Sequence, residues 1–156
     1  MAKIRLTPEG LARLNAELEN LTHVRRQEVA ERIRQAREES HGDSGDSTAY
    51  EEAKTELAIL EQRIAELDRT LAEAELVPDT GEVHTQVELG SHVVIRDSEG
   101  EQEEYVIVDH VEADPRLGRL SQTSPVGSAL LGLHAGDEVT VTTPAGERKL
   151  TVVEIR

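Results

Sequence analysis

Asp43 and Asp46 stand three residues apart in the stretch Ser40-His41-Gly42-Asp43-Ser44-Gly45-Asp46-Ser47-Thr48, with Ser44, Ser47 and Thr48 as further oxygen donors. Hard divalent cations such as magnesium take oxygen ligands of this kind, commonly one or two carboxylates together with water and a substrate phosphate. The same residue types also build exposed turns and helix caps, and two carboxylates alone hold such an ion poorly. The pair gains metal chemistry only where a partner supplies the remaining ligands. His41 stands beside them, and although imidazole is the side chain suited to switching charge near neutrality, an ordinary surface role is the favoured reading for it.

No other constellation suggests a self-sufficient active site. The chain has no Cys, so it carries neither a disulfide framework nor a thiolate metal site, and a reducing cytosol suits it. Its six His residues, at 23, 41, 84, 92, 110 and 134, show no ligand spacing. There is no Gly-rich phosphate loop and no Ser, His and Asp set with triad spacing. The expectation is a protein without an intrinsic cofactor that is not an enzyme by itself. The start is polar and no run approaches a membrane span, which points to a cytoplasmic protein with no membrane contact.

Charge narrows the partners. In 156 residues, 32 acidic side chains oppose 17 basic ones, for a formal net charge of −15. Such a chain disfavours broad contact with nucleic acid and favours a protein or metal-linked partner. The cations are concentrated locally, with Arg25, Arg26, Arg32, Arg34 and Arg37 on one stretch. Helix-surface pairing with Glu28, Glu31 and Glu38 is expected to account for at least half of them; the rest form a strip able to meet RNA or an acidic surface.

The elements that must position these residues differ between the two halves. Thr7-Pro8-Glu9-Gly10 is a helix start, with Thr7 as N-cap and Pro8 at the first helical position. Leu11, Leu14, Leu18 and Leu21 then step by three and four, and Val24, Val29, Ile33 and Ala36 continue the stripe less regularly, which predicts one long helix. After the polar turn at 40–48 a second helix is expected, with Thr48 and Glu51 as a capping box and Ser47 or Asp46 as rival caps. Along it Tyr50, Ala53, Leu57, Leu60, Ile64, Leu67, Leu71 and Ala74 repeat as a coiled-coil seam. Two such stripes joined by a short connection pack antiparallel, giving a hairpin on the order of 45 Å long with the turn at its far end.

Val77-Pro78-Asp79-Thr80-Gly81 ends the helical pattern. Beyond it, residues 91–96, 104–108, 118–121, 138–142 and 150–155 read as short β-strands. Ser124-Pro125-Val126-Gly127-Ser128-Ala129-Leu130-Leu131-Gly132 reads as one short helix between the third and fourth. With one Met, two Tyr and no Phe or Trp, the core is built from Leu, Val, Ile and Ala. The expected fold class is α+β, with a hairpin at 1–77, a linker at 78–83 and a small antiparallel β domain with one helix at 84–156.

Together these residues resemble the bacterial Gre factors. Leu6-Thr7-Pro8-Glu9-Gly10 with Leu14 and Leu18 is similar to the family's start. Ala36-Arg37-Glu38, His41-Gly42-Asp43, Tyr50 and Ala53-Lys54 are similar to its hairpin-tip signature. Ser124-Pro125-Val126-Gly127 through Gly132, with Gly136-Asp137 and Thr143-Pro144-Ala145-Gly146, is similar to its C-terminal signature.

The resemblance implies an FKBP-like second domain that docks, through Ser124, Pro125, Gly127 and Asp137, at the rim of the secondary channel of bacterial RNA polymerase core. It implies a monomer whose tip carboxylates Asp43 and Asp46 help hold a magnesium or manganese ion at the polymerase active site. Arg37, His41, Ser44, Ser47 and Tyr50 would contact the polymerase or the 3′ end of backtracked RNA. Cleavage-stimulating members commonly read Gly-Asp-Leu-x-Glu-Asn before the Tyr, whereas this chain reads Gly42-Asp43-Ser44-Gly45-Asp46-Ser47. Two residues, Glu39 and Ser40, are also inserted before His41. Shortening Glu to Asp withdraws the carboxylate, and the Asp-rich stretch resembles the Gre-factor homologues, the Gfh branch, which restrain the polymerase. That branch is the expected one, with transcript cleavage as the alternative. An acidic coiled-coil adaptor or chaperone is a more distant reading. A prolyl isomerase ranks lower still, because the second half offers only Tyr105 to line an aromatic pocket.

Overall fold

The structure, a computed structural model, describes residues 3–39, 48–77 and 84–156. The expected tip residues His41, Asp43, Ser44, Asp46 and Ser47 and the linker at 78–83 lie outside the described residues. In chain order the elements are β1 (Arg5–Leu6), α1 (Pro8–Asn20), a π-helical turn (Leu21–Arg25), α2 (Arg26–Glu39), α3 (Thr48–Glu73), β2 (Glu75–Leu76), β3 (His92–Arg96) and β4 (Gln102–Val108). Two 3-10 turns (His110–Glu112 and Pro115–Leu117), β5 (Arg119–Ser121), α4 (Pro125–Leu130), β6 (Glu138–Thr143) and β7 (Gly146–Ile155) complete it. The fold class is the expected α+β.

The chain divides into two compact units. One comprises Leu11–Glu73, and the other joins Met1–Gly10 to Ala74–Arg156. The helical unit is an antiparallel hairpin, as ion pairs between its arms show: Arg63 with Glu17, Arg26 with Glu61, and Arg25 and Arg32 both with Glu56. Its seam buries Leu14, Val29, Ala36, Ala53, Leu60, Ile64 and Leu67. α3 alone spans about 39 Å at the usual rise.

The first arm is not the single α-helix expected. Continuing the steps of Leu11, Leu14, Leu18 and Leu21 places seam residues at 25, 28, 32 and 35, yet the apolar side chains stand one residue later, at Val29, Ile33 and Ala36. The π-helical turn absorbs that extra residue, widening one turn so that Val29 returns to the seam fully buried. Val24, within the turn, is left about half exposed at 46%. The Thr22 hydroxyl donates to the Leu18 carbonyl in the same stretch.

In the other unit a five-stranded sheet runs in the order β5-β4-β3-β7-β6. Val93, Ile95, Ile107, Val141, Leu150 and Val152 point to one face, where Leu130 of α4 closes a core with no aromatic centre. The sheet departs from the all-antiparallel expectation at β4 and β5, which pair in parallel. A parallel neighbour requires a crossover, and the 3-10 turns between Asp109 and Gly118 supply it. A separate two-stranded parallel pair, β1 with β2, was not expected. Glu75 N–H donates to the Ile4 carbonyl at 2.8 Å and Val77 N–H to the Leu6 carbonyl at 2.7 Å.

Candidate functional site

At the distal end of the hairpin α2 runs to Glu39 and α3 starts at Thr48, so residues 40–47, with Asp43 and Asp46, connect the two arms. Ala36 and Ala53 are both buried and let the helices approach closely at this level. Arg37 and Tyr50 therefore meet: Arg37 Nη2 donates to the Tyr50 hydroxyl at 3.4 Å, and the guanidinium lies 5.8 Å from the ring centroid. The hydrogen bond and charge of Arg37 hold the Tyr50 phenol below its ordinary value, and the same contact raises Arg37.

Lys54 completes the cluster, its ammonium 5.2 Å from the Tyr50 ring. It sits four residues after Tyr50, a helical neighbour position readable in the sequence. The cationic strip divides. Arg25 bonds Glu28 and Glu56, Arg26 bonds Glu61, Arg32 bonds Glu56, and Arg34 bonds Glu31 and Glu38. Arg25 and Arg34 show the expected pairing along the helix with Glu28, Glu31 and Glu38, Arg26 and Arg32 pair instead across the hairpin, and Arg37 contacts an aromatic ring.

In the sheet unit three of the four expected docking residues, Ser124, Pro125 and Gly127, lie on α4 or cap it, and Asp137 lies in the turn before β6. Ser124 caps α4, accepting from Gly127 N–H at 3.0 Å and donating to the Ser121 carbonyl at 2.7 Å. Gly127 is buried, and a Cβ there would stand 1.9 Å from the Ser121 carbonyl oxygen. These two residues build the fold of the segment. Pro125 is exposed at the first helical position, and the half-exposed Asp137 accepts from His134 N–H at 2.8 Å in the turn before β6.

A buried carboxylate cluster in this unit had no sequence signal. Glu112, 3% exposed, accepts from Thr7 N–H at 2.8 Å, from the Thr7 hydroxyl at 2.7 Å and from Arg119 Nη1 at 3.2 Å. The Thr7 oxygen also accepts from Gly10 N–H at 3.1 Å, confirming Thr7 as the cap of α1. Asp109, equally buried, accepts from Arg5 N–H at 3.3 Å. The described residues hold no group of three or more His, Asp or Glu able to bind a metal. No helix among them is long and apolar enough to cross a membrane.

A hairpin bearing an acidic connection and a small sheet unit with a capped helix define an α+β protein that carries a pair of carboxylates on a long arm. Residues 4–76 match the family described as "Transcription elongation factor, N-terminal", and residues 82–156 match "Transcription elongation factor, GreA/GreB, C-term". The chain is 47% identical to transcription elongation factor GreA of Chloroflexus aurantiacus over 97% of this chain and 96% of that one. It is 43% identical to GreA of Bacillus cereus, covering 97% and 95%. Among solved structures, GreA factor homolog 1 of Thermus thermophilus is 33% identical with a TM-score of 0.45, covering 99% of both chains. The chain belongs to the Gre family of transcription elongation factors.

Proposed function

We propose that this Gre-family factor acts, in the cytoplasm, on bacterial RNA polymerase core, entering the secondary channel with the distal end of its hairpin while the sheet unit rests on the channel rim. The observation that carries the reading is the placement of Asp43 and Asp46 in the connection between α2 and α3, where a long arm delivers them to a site built by another protein. Two carboxylates with neighbouring hydroxyls are hard oxygen donors that suit magnesium or manganese, and they need the polymerase's ligands to complete a site. A second such ion at a phosphoryl centre supplies an activated water for hydrolysis of backtracked RNA. The chain's own part is to bring Asp43 and Asp46 to that ion, with Arg37 near the end of α2 and Tyr50 near the start of α3 meeting the RNA 3′ end. The factor has no turnover of its own.

The identity of 47% to a relative named transcription elongation factor GreA supports the GreA-like alternative, for which the family resemblance implies stimulation of transcript cleavage. Asp46 in place of the family's usual Glu lowers its efficiency, since a misplacement near 1 Å costs about 100-fold. The Asp- and Ser-rich stretch 43–47 favours a second reading, restraint of elongation in the manner of the Gfh branch. Backtracked complexes incubated with magnesium or manganese separate the two. Accelerated release of short RNA, abolished by Asp43→Asn, establishes cleavage; slower extension and longer pauses establish restraint. Failure to bind core polymerase or to compete with a cleavage factor there overturns both.

A further inference from the structure

Tyr50 is held by two helices at once. Lys54, one turn further along α3, approaches its ring at 5.2 Å, and Arg37 on α2 approaches at 5.8 Å while bonding the hydroxyl. Both distances fall within the roughly 6 Å over which a cation is drawn to an aromatic face. A tyrosine on an exposed helix otherwise samples several rotamers, and each such contact narrows that choice. Lys54 is one of three lysines in the chain, and it has no carboxylate partner among the described residues. Its described contact is the ring.

We propose that Lys54 is a positioning residue that, with Arg37, fixes the Tyr50 ring and hydroxyl beside the carboxylate-bearing connection, presetting the polar edge this arm offers to the transcription complex. The proposal rests on the reading given under Proposed function. It assigns Lys54 a role through Tyr50, not through direct contact with RNA. The lowered phenol of Tyr50 accords with it: the hydrogen bond and charge of Arg37 lead the lowering, desolvation opposes it, and the Lys54 charge adds a smaller lowering against Glu51.

Composition gives a clean readout. The chain has two Tyr and no Trp, and Tyr105 is shifted the opposite way, upward, by burial and by its bond to Glu103. Tyrosinate absorbance of the full chain should therefore rise in two separated steps. In Lys54→Met the earlier step moves up toward ordinary phenol while the later one stays, and the effect on polymerase falls about two- to fivefold, matching the loss of one exposed cation–π contact. Lys54→Arg, which keeps the cation over the ring, restores both. A Lys54→Met chain with weakened activity but an unmoved Tyr50 step overturns the proposal in favour of direct contact. A moved step with full activity overturns it by showing that ring position is not used. A wild-type chain without effect on polymerase sinks the parent reading instead, and the titration alone then decides whether the clamp exists.

Discussion

The Glu112 cluster offers the sharpest test of the packing logic, through a substitution, Gly10→Ala, whose effect reverses sign with the residue at position 112. Glu112 is 3% exposed and accepts three hydrogen bonds, from Thr7 N–H, the Thr7 hydroxyl and Arg119. Glu112→Ala leaves the buried Thr7 donors unmatched and Arg119 without its carboxylate. Breaking a buried ion pair from one side costs about 3–5 kcal/mol, and that is the expected loss. Gly10 lies against the same side chain: a Cβ there would stand 1.9 Å from Glu112 Oε1 and 2.0 Å from its Cδ. Three hydrogen bonds and full burial stop that carboxylate from swinging away. Gly10→Ala should therefore cost about 1–3 kcal/mol by overpacking. With Glu112 already trimmed to Ala the clash is gone, and the ordinary helix preference for Ala over Gly, about 0.5–1 kcal/mol, should make Gly10→Ala stabilising. Urea unfolding of the four chains in the cycle measures the coupling. An equal cost for Gly10→Ala in both backgrounds, or a Glu112→Ala chain within about 0.5 kcal/mol of wild type, would refute the reasoning.

Gly127→Ala should destabilise the sheet unit by at least about 1–3 kcal/mol, since its Cβ would meet a backbone carbonyl that cannot move aside; thermal unfolding checks this. Deleting His23, exposed in the π-helical turn, should leave helicity and stability nearly unchanged, because an ordinary α-helix then carries the seam in phase. Deleting the exposed Gln62 of α3 should instead unfold the hairpin cooperatively in circular dichroism, by rotating Ile64 and Leu67 off the seam. Glu31, Glu56, Glu61 and Glu75 are held below the usual carboxylate range, each chiefly by a hydrogen bond from Arg34, Arg32, Arg26 or Lys3. Because these folded-state values are depressed, their stabilisation is present above the ordinary Glu value and lost as pH falls through the lowered ones. The urea midpoint should drop over that acid range, and about 1 M salt should flatten the drop because these groups are exposed; a profile indifferent to salt contradicts the assignment.

The five sheet strands were legible because β-branched runs such as Val93-Val94-Ile95 and Val139-Thr140-Val141 cannot be mistaken for helix seams, and Ser124 and Pro125 marked α4 correctly. The π-helical turn was visible only as irregularity: the one-residue slip between Leu21 and Val29 is in the sequence, but periodicity alone does not say whether a helix breaks, kinks or widens there. β1 and β2 are two residues each, too short to pattern, and their pairing joins Arg5 to Glu75 across the whole hairpin. Glu112 was invisible for a different reason, since a carboxylate is presumed to lie at the surface until its partners are known. At the arm's end, Arg37 and Tyr50, which the resemblance places together, are in contact, while Lys54 carries no role in the signature although its spacing from Tyr50 puts it on the same helix face.

The short parallel pairing of β1 and β2 recasts the architecture. The strand that precedes the hairpin and the strand that follows it are stitched side by side, Leu6 opposite Leu76, within the unit that also holds the five-stranded sheet. In topological terms the helical unit is an insertion within the sequence of the other unit, its two ends joined to neighbouring strands as to one doorway. Such an insertion can gain or lose whole heptads, or be exchanged for another hairpin, while the doorway stays closed behind it. Arm length and cargo thereby become adjustable parts on a fixed chassis.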